Sequence, residues 1–341
     1  MKYSIIVPVY NRPDEVDELL QSLCRQTEKD FEVIIVEDGS QKKSKDICER
    51  YADILALHYY YKENSGPGQS RNYGAERAQG EWLIVLDSDV VLPENYLAAV
   101  NSSLFTLHSS LPCDAWGGPD AAHPSFTPVQ KAISYSMTSF FTTGGIRGGS
   151  SPLRGDKRGA LDKFYPRSFN MGIRREVYQQ LGGFSKMRFG EDIDFSYRIV
   201  EAGYKTALMP DAWVWHKRRT DFRKFFRQVY NSGIARINLT KRHPGTLKLV
   251  HLLPTVFTLG VIGLLLLSFF CPLALLPIIL YCAVIFIDSS LRNHSLRVGL
   301  LSIPAAFTQL MGYGLGFIEA WWKRCVLGQD EFTAFEKNFY K

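Results

Sequence analysis

The sequence predicts an α/β fold with a mostly parallel sheet, followed by helices embedded in a membrane. Between Ile5 and Leu86, short apolar runs rich in Val and Ile alternate with amphipathic segments, a pattern typical of parallel strands buried on both faces. From Leu249 to Ile287 there is no Asp, Glu, Lys or Arg, and this stretch is roughly twice the ~20 residues that one transmembrane helix needs. The chain of 341 residues is long enough for both parts.

The strands and helices follow one another in a regular order. We expect strands at Ile5–Val9, Phe31–Val36, Ala56–Tyr60, Trp82–Leu86 and Trp213–His216, with a further ordered stretch at Phe169–Ile173. We expect helices at Asp14–Cys24, Ser44–Tyr51, Gly68–Ala78, Arg175–Leu181 and from Gly190 to Ala202. The segment Gly144–Arg167 is rich in Gly, Ser and Arg and too long for an ordinary connection, so we expect a mobile loop at the ligand site there.

Composition and short motifs exclude several classes of protein. Apolar residues make up 46% of the chain and charged residues 22%, which excludes collagen-like, coiled-coil and wholly disordered chains. A formal net charge of +6 does not resemble that of a nucleic-acid-binding protein, so we expect no nucleic-acid partner. No G-x-G-x-x-G follows the first strand, and the sequence has neither a P-loop motif nor G-x-S-x-G. Dinucleotide oxidoreductases, P-loop enzymes and acyltransferases with a serine elbow are therefore unsupported.

Polar side chains follow three of the predicted strands. They lie in the segments Pro8–Arg12, Glu37–Ser40 and Asp87–Asp89. Ligands of open α/β sheets bind beyond the carboxyl ends of the strands. We therefore expect these three clusters, which are far apart in the sequence, to converge on one binding site.

Two acidic motifs and one histidine are candidates for chemistry at that site. Asp87 and Asp89 place two carboxylates within one turn of backbone, which suits a hard divalent cation such as Mg²⁺ or Mn²⁺; an ordinary Asp turn is the alternative. Glu191 and Asp192 open a predicted helix whose dipole keeps a carboxylate ionised and able to accept a proton, or they serve only as a helix cap. His216 is either a third metal or phosphate ligand or a core histidine.

The apolar C-terminal region divides into two or three segments. Leu249–Ile287, with a turn at Cys271-Pro272, predicts two membrane spans in a hairpin. Val298–Ala320 is interrupted by Pro and Gly, which leaves a third span, a re-entrant segment or an interfacial helix open. Arg292 and Arg297 follow the second span, so the positive-inside rule predicts a multi-pass protein of the cell (inner) membrane with its main domain in the cytoplasm.

Seven motifs, in this order along the chain, resemble the pattern of glycosyltransferase family 2. They are Ile5-Ile6-Val7-Pro8-Val9-Tyr10-Asn11-Arg12, Val36-Glu37-Asp38-Gly39-Ser40, Gly66-Pro67 with Arg71-Asn72, Asp87-Ser88-Asp89, Asn170-Met171, Gly182-Gly183-Phe184 and Gly190-Glu191-Asp192-Ile193-Asp194. Their order is more specific than any single motif. The resemblance implies a GT-A fold, a nucleotide-diphosphate sugar donor with a UDP-sugar as the first expectation, a divalent Mg²⁺ or Mn²⁺ ion, and inversion at the anomeric carbon.

The same resemblance implies roles for individual residues. The residues that it implies for holding the nucleoside are Pro8, Tyr10, Arg12, Glu37, Asp38, Arg71 and, near the ribose, Asp87. It implies Asp89 as the direct metal ligand, Asp87 beside the metal-bound water, and His216 as a group that assists the departing diphosphate. Asp192 is implied as the general base that takes the proton of the acceptor hydroxyl, with Glu191 as the alternative base.

Two departures from the family pattern narrow these expectations. Glu37 stands where many relatives have Asp, and the Gln-x-x-Arg-Trp motif of processive members is absent, with Gln228-Val229-Tyr230-Asn231 as its nearest approach. The missing motif favours transfer of a single sugar, with a processive polysaccharide synthase as the alternative. The basic segment at 221–248 and the predicted membrane spans lead us to expect a lipid-linked or envelope saccharide as the acceptor. A catalytically inactive nucleotide-binding scaffold is the other alternative, which the retained acids Asp87, Asp89, Glu191 and Asp192 disfavour.

The chain is expected to divide into four parts. The expected parts are a catalytic domain at 1–220 (nucleotide-binding half 1–115, acceptor half 116–220), a basic amphipathic segment at 221–248, a membrane region at 249–322 and a tail at 323–341. The basic segment alternates Arg and Lys with Phe, which suits the membrane surface and anionic headgroups or a lipid-linked phosphate. An ordinary solvated helix face is the alternative for this segment.

Overall fold

The computed structural model describes residues 1–110, 113–143, 164–217 and 220–331. Their packing divides them into two units, one formed by residues 1–121 and 164–216 and the other by residues 122–143 and 217–331. Residues 122–143, which we expected in the catalytic domain, pack with the C-terminal helices. Most of the loop expected at Gly144–Arg167 lies outside the described residues.

A mostly parallel sheet forms the centre of the first unit, as predicted. The strands of this unit are β1 Tyr3–Val9, β2 Phe31–Asp38, β3 Leu57–Lys62, β4 Trp82–Leu86, β5 Val90–Val91, β6 Ala115–Gly117, β7 Asp120–Ala121, β8 Asn170–Arg174, β9 Thr206–Leu208 and β10 Val214–His216. Seven of them form one sheet in the order β3-β2-β1-β4-β8-β6-β9. Within the described residues, β8 alone runs antiparallel to its neighbours in this sheet.

Helices cover both faces of that sheet. The helices of the first unit are α1 Pro13–Cys24, α2 Lys45–Tyr51, α3 Pro67–Ala75, α4 Tyr96–Ser110, α7 Arg175–Gln180 and α8 Glu191–Glu201. The helices of the second unit, which do not belong to this sheet, are α5 Pro128–Thr138, α6 Phe140–Thr143, α9 Phe222–Arg242, α10 Leu253–Ser268, α11 Leu276–Asn293 and α12 Leu296–Trp321. Successive residues of β1 point to opposite faces, so Ile5 packs with Leu19 on one side while Ile6 packs with Phe195 on the other. Both faces are buried, which explains the continuous apolar runs.

A second, three-stranded sheet has the order β5-β10-β7 and was not predicted, apart from its central strand. In it β10 runs antiparallel to β5, with His216 opposite Val90. Because Val90 directly follows Asp89, this register brings the histidine to the acidic pair at the end of β4.

The helices of the second unit surround α12. This helix continues without a break through Pro304, although we considered Pro and Gly as interruptions. Its glycines serve close packing instead, since a Cβ atom at Gly312, Gly314 or Gly316 would enter the side chains or backbone of α9 and α10. Because glycine has no side chain, the helix backbones can approach one another closely at these positions.

Two helices are long and apolar enough to cross a membrane, among the residues that the structure describes. They are Pro272–Asn293, with mean hydropathy 2.1, and Leu296–Val326, with mean hydropathy 1.3. The helix α10 has only 16 residues, so the first half of the hairpin expected in Leu249–Ile287 is shorter than a typical span. The segment expected as a possible third span forms the longest helix of the unit.

Candidate active site

The loops after β1 and β2 are tied together at the carboxyl edge of the sheet. Asn11 adopts a positive φ of 55°, a conformation that Asn tolerates better than most residues. Its side-chain oxygen accepts hydrogen bonds from the backbone N–H groups of Gln41 at 2.8 Å and Lys42 at 2.9 Å. The predicted convergence of the first two polar clusters is therefore present, and Pro8 and Tyr10 lie in the first of them, where Pro8 is paired with Val36.

Glu37 and Asp38 are buried and bind protein groups. Glu37 accepts hydrogen bonds from the Ser44 N–H at 2.8 Å, the Ser44 hydroxyl at 2.6 Å and the Tyr59 hydroxyl at 3.3 Å, and from Ser40. Asp38 accepts one from Lys62 Nζ at 2.6 Å and two, each at 2.9 Å, from the N–H groups of residues 65 and 66. The two carboxylates thus order the loops that follow β2 and β3.

Asp87, Asp89 and His216 form a group that can hold a metal ion. One ligand atom from each lies within 4.8 Å of the others. The donor set of two carboxylates and an imidazole suits a divalent cation such as Mn²⁺. The side chains are only partly enclosed, with 32% of Asp87 and 18% of His216 exposed, so a bound ion could also contact a ligand in solution. The residues therefore fit the expected metal.

Two neighbours, Arg12 and Phe169, orient this group. The Arg12 guanidinium lies 2.9 Å from Asp89 Oδ2 and also contacts Glu15 at 2.8 Å. His216 Nε2 lies 3.2 Å from Asp89 Oδ1, and the ring of Phe169 stacks on the imidazole with centroids 5.1 Å apart. The stacking fixes the plane of the histidine ring and hence the direction of its nitrogen atoms.

Arg71 links the acidic pair to the start of α8. Its side chain is 4% exposed, and its guanidinium contacts Asp87 at 2.8 Å and Glu191 at 3.2 Å. The same group lies over the ring of Phe184, 5.2 Å from the centroid. A buried cation between two carboxylates holds both in place. Sequence reasoning assigned Arg71 to the nucleoside and missed this bridge.

Glu191 and Asp192 occupy the first turn of α8 but have different surroundings. Gly190 precedes them with a left-handed φ of 84°, which glycine adopts at no steric cost. Burial raises the pKa of Glu191 to about 7, against the opposing effect of the Arg71 charge. Asp192 is 25% exposed, compared with 13% for Glu191, and lies 3.3 Å from the Arg167 guanidinium. Asp192 is therefore the more accessible of the two carboxylates.

Sequence reasoning gave no individual role to Arg167, Phe169 or Asp120, although Arg167 ends the loop that we expected at the ligand site. Asp120 Oδ2 lies 3.8 Å from His216 Nδ1, because β7 and β10 are paired in parallel. Phe169 directly precedes the buried strand β8, and that position is the one sequence signal that could have marked it. Asp120 lies in the two-residue strand β7, and Arg167 lies in the loop before β8. Neither segment has a recognisable sequence pattern.

Sequence comparison identifies related proteins. The sequence profile of glycosyl transferase family 2 matches residues 4–182, just over half of the chain, and that of glycosyl transferase family group 2 matches residues 168–287. An uncharacterised glycosyltransferase of Haemophilus influenzae is 31% identical over 205 residues, covering 58% of this chain and 62% of the relative. The chain thus spans less than two thirds of the length of that relative.

Solved structures with the same fold include a mannosyltransferase. Mannosyltransferase PcManGT from Pyrobaculum calidifontis, in complex with GDP-Man and Mn²⁺, has a TM-score of 0.64 at 18% identity, over 95% of this chain and 88% of its own. Residues 1–349 of TarS from Staphylococcus aureus, in complex with UDP-GlcNAc, have a TM-score of 0.50 at 19% identity, over 96% and 93% of the two chains. The mostly parallel sheet and these neighbours establish the GT-A fold, and the profile match over more than half of the chain shows that the chain belongs to glycosyltransferase family 2.

Proposed function

We propose that this glycosyltransferase moves a single sugar from a nucleotide-diphosphate sugar to a lipid-linked or envelope saccharide acceptor, with inversion at the anomeric carbon. The observation that carries the proposal is the Arg71 bridge between Asp87 and Glu191, which joins the acidic pair after β4 to the acidic start of α8. Donor-side carboxylates and a candidate base on one edge of the sheet suit a displacement at a sugar carbon. The nucleotide sugars bound by the two structural neighbours support this class of donor.

The nucleoside is proposed to lie along the loops after β1 and β2. Pro8 lies near the carboxyl end of β1, Tyr10 directly follows that strand, and Arg12 brings a positive charge to the same edge. Glu37 and Asp38 contribute by ordering the neighbouring loops, since each carboxylate accepts at least three hydrogen bonds from the protein. A binding experiment with UDP, GDP and TDP decides which nucleobase the site accepts.

Asp87, Asp89 and His216 are the residues that would hold Mg²⁺ or Mn²⁺. When bound there, the ion would neutralise charge on the departing diphosphate. Arg12 and Arg71 orient the two carboxylates from either side, at 2.9 Å and 2.8 Å. The Phe169 ring keeps the imidazole in one plane.

Asp192 is the proposed general base. Its carboxylate takes the proton of the acceptor hydroxyl while that oxygen bonds to the anomeric carbon and the bond from carbon to the diphosphate oxygen breaks. Asp192 is the more exposed carboxylate, and Glu191 is held by Arg71. With its pKa raised to about 7 by burial, Glu191 is only partly ionised at neutral pH. We therefore assign Glu191 as the positioning residue and Asp192 as the base.

A multi-pass position in the inner membrane completes the proposal. The first unit (residues 1–121 and 164–216), which we call the catalytic unit, then lies in the cytoplasm. Only 17% of the apolar window of Pro272–Asn293 is buried inside the protein, which leaves most of that helix for contact with lipid. Arg292 and Arg297 flank the junction of α11 and α12, as the positive-inside rule requires of a cytoplasmic loop. The helix α9 exposes Arg223, Lys224 and Arg227, charges that suit anionic headgroups.

The experiment that tests the proposal is a transfer assay in lipid vesicles. The reconstituted protein is given a panel of UDP-, GDP- and TDP-sugars together with a bacterial lipid extract, and products are identified by mass and by the NMR coupling of the anomeric proton. We expect one product that is one sugar heavier than its acceptor and has inverted configuration. A ladder of products would contradict single transfer, and a retained configuration would contradict direct displacement.

A further inference from the structure

We propose that residues 132–143, which form most of α5 and all of α6, insert into the membrane beside α11 and place Phe140 and Phe141 against lipid acyl chains. This inference rests on the membrane position in the proposed function, because it takes α11 to cross the bilayer. It goes further in assigning a segment far from the C-terminal helices in sequence to the hydrocarbon layer.

Two hydrogen bonds fix how far the segment extends along α11. Tyr135 Oη donates to Asp288 Oδ2 at 2.6 Å near the polar end of α11, and Tyr281 Oη donates to the backbone carbonyl of Phe141 at 3.2 Å. Tyr281 is close to the middle of the apolar stretch Pro272–Asn293. At 1.5 Å per residue it lies about 10 Å beyond Asp288, roughly a third of the ~30 Å hydrocarbon core. The α6 end of the segment therefore reaches well into the hydrocarbon layer.

The composition of the segment suits that depth. From Ala132 to Thr143 there is no charged residue. The hydroxyls of Ser136, Thr138, Thr142 and Thr143 each donate to a backbone carbonyl within the same segment. Polar groups in a membrane must be satisfied by the protein itself, because no water is present to do so. These four hydroxyls meet that condition with the backbone of the segment itself.

The segment has one face against protein and one face open. Its inner face packs on the other helices of the unit, with Ala132 against Val298 and Ala305 of α12, and Ile133 against Phe225 of α9. The rings of Phe140 and Phe141, in contrast, are 67% and 42% exposed and pack edge to face. Adjacent exposed aromatic rings at the depth of an apolar helix are typical of a surface in contact with lipid.

The test is photolabelling from within the bilayer. The full-length protein is reconstituted into vesicles that contain a lipid with a diazirine on its acyl chain, irradiated, and mapped residue by residue by mass spectrometry. Phe105 of α4 is the matched control, because it is more exposed than Phe140, at 81%, and lies in the catalytic unit. We expect adducts at Phe140 or Phe141 and in α11, with at least about tenfold less at Phe105.

The outcomes separate this inference from the function on which it rests. Adducts in α11 without adducts at residues 140–141 would overturn the insertion of α5 and α6 and leave the membrane position intact. An absence of adducts in α11 as well would overturn the membrane position itself. A second measurement compares Phe140→Cys with Phe105→Cys for reaction with a charged maleimide. We expect the former to react at least about tenfold more slowly in vesicles, and equal rates would contradict insertion.

Discussion

Replacing Arg71 with Met should destabilise the catalytic unit substantially. The Arg71 side chain is 4% exposed and contacts Asp87 at 2.8 Å and Glu191 at 3.2 Å. Removing one partner of a buried ion pair costs about 3–5 kcal/mol, and we expect the lower end, about 3 kcal/mol, because solvent already reaches Asp87. In a unit of this size each kcal/mol lowers Tm by about 2–4 °C, which gives a decrease of roughly 6–12 °C.

The destabilisation by Arg71→Met should grow with pH. Burial raises the pKa of Glu191 to about 7, and the Arg71 charge lowers it, so the pKa is higher still in the variant. Between pH 6 and pH 8 the unfolded chain has lost this proton while the folded variant retains it, so increasing pH favours unfolding. One proton contributes at most about 1.4 kcal/mol per pH unit. The Tm difference between variant and wild type is therefore larger at pH 8 than at pH 6.

Thermal melting in detergent with a chelator measures both effects. Arg50→Met is the control, because Arg50 is 60% exposed and pairs with Asp17 at the surface, where an ion pair contributes about 0–1 kcal/mol. Equal Tm decreases in the two variants, or a difference from wild type that does not change with pH, would refute the bridging role of Arg71.

Three further substitutions test the base, the histidine and the helix packing. Asp192→Asn should lower the initial transfer rate by about 10²–10⁴-fold with unchanged calorimetric affinity for the nucleotide; a normal rate would contradict the assignment of the base. Phe169→Leu removes the ring stacked on His216 and should weaken nucleotide binding in Mn²⁺ roughly 2- to 12-fold, whereas an unchanged Kd would show that the stacking has no role. Gly316→Ala drives a Cβ atom into the backbone of α9 and should cost about 1–3 kcal/mol in a melting assay. Gly260→Ala, where a Cβ atom meets nothing within 4 Å, should cost nothing.

The sequence predicted the first half of the sheet well because its strands are long and apolar. The strands β1, β2 and β4 have five to eight residues, nearly all buried, so their composition is distinctive. The unpredicted strands β5, β6, β7 and β9 have only two or three residues each, too few for periodicity. Tertiary pairing, which local sequence does not encode, decides whether such short segments become strands.

The candidate site was predicted residue by residue but not as a set of contacts. Asp87, Asp89 and His216 were named from the motifs, and the structure brings their ligand atoms within 4.8 Å of one another. They meet because His216 pairs with Val90. Val90 lies in a strand of only two residues, which is too short to recognise from sequence. Arg71 was assigned to the nucleoside from the family resemblance, and its bridge between Asp87 and Glu191 was not predicted, because a sequence motif does not show which way a long side chain turns.

The most direct test of the proposed donor site is calorimetric binding of UDP, GDP and TDP to the full-length protein in detergent, with Mn²⁺ and then with a chelator. Asp89→Ala is the control, because Asp89 contacts both Arg12 and His216. We predict tight binding of one nucleotide that is lost both with the chelator and in the variant. Failure of every nucleotide to bind in the presence of Mn²⁺, or binding that is unaffected by Asp89→Ala, would contradict a metal-dependent nucleotide-sugar site at this edge of the sheet.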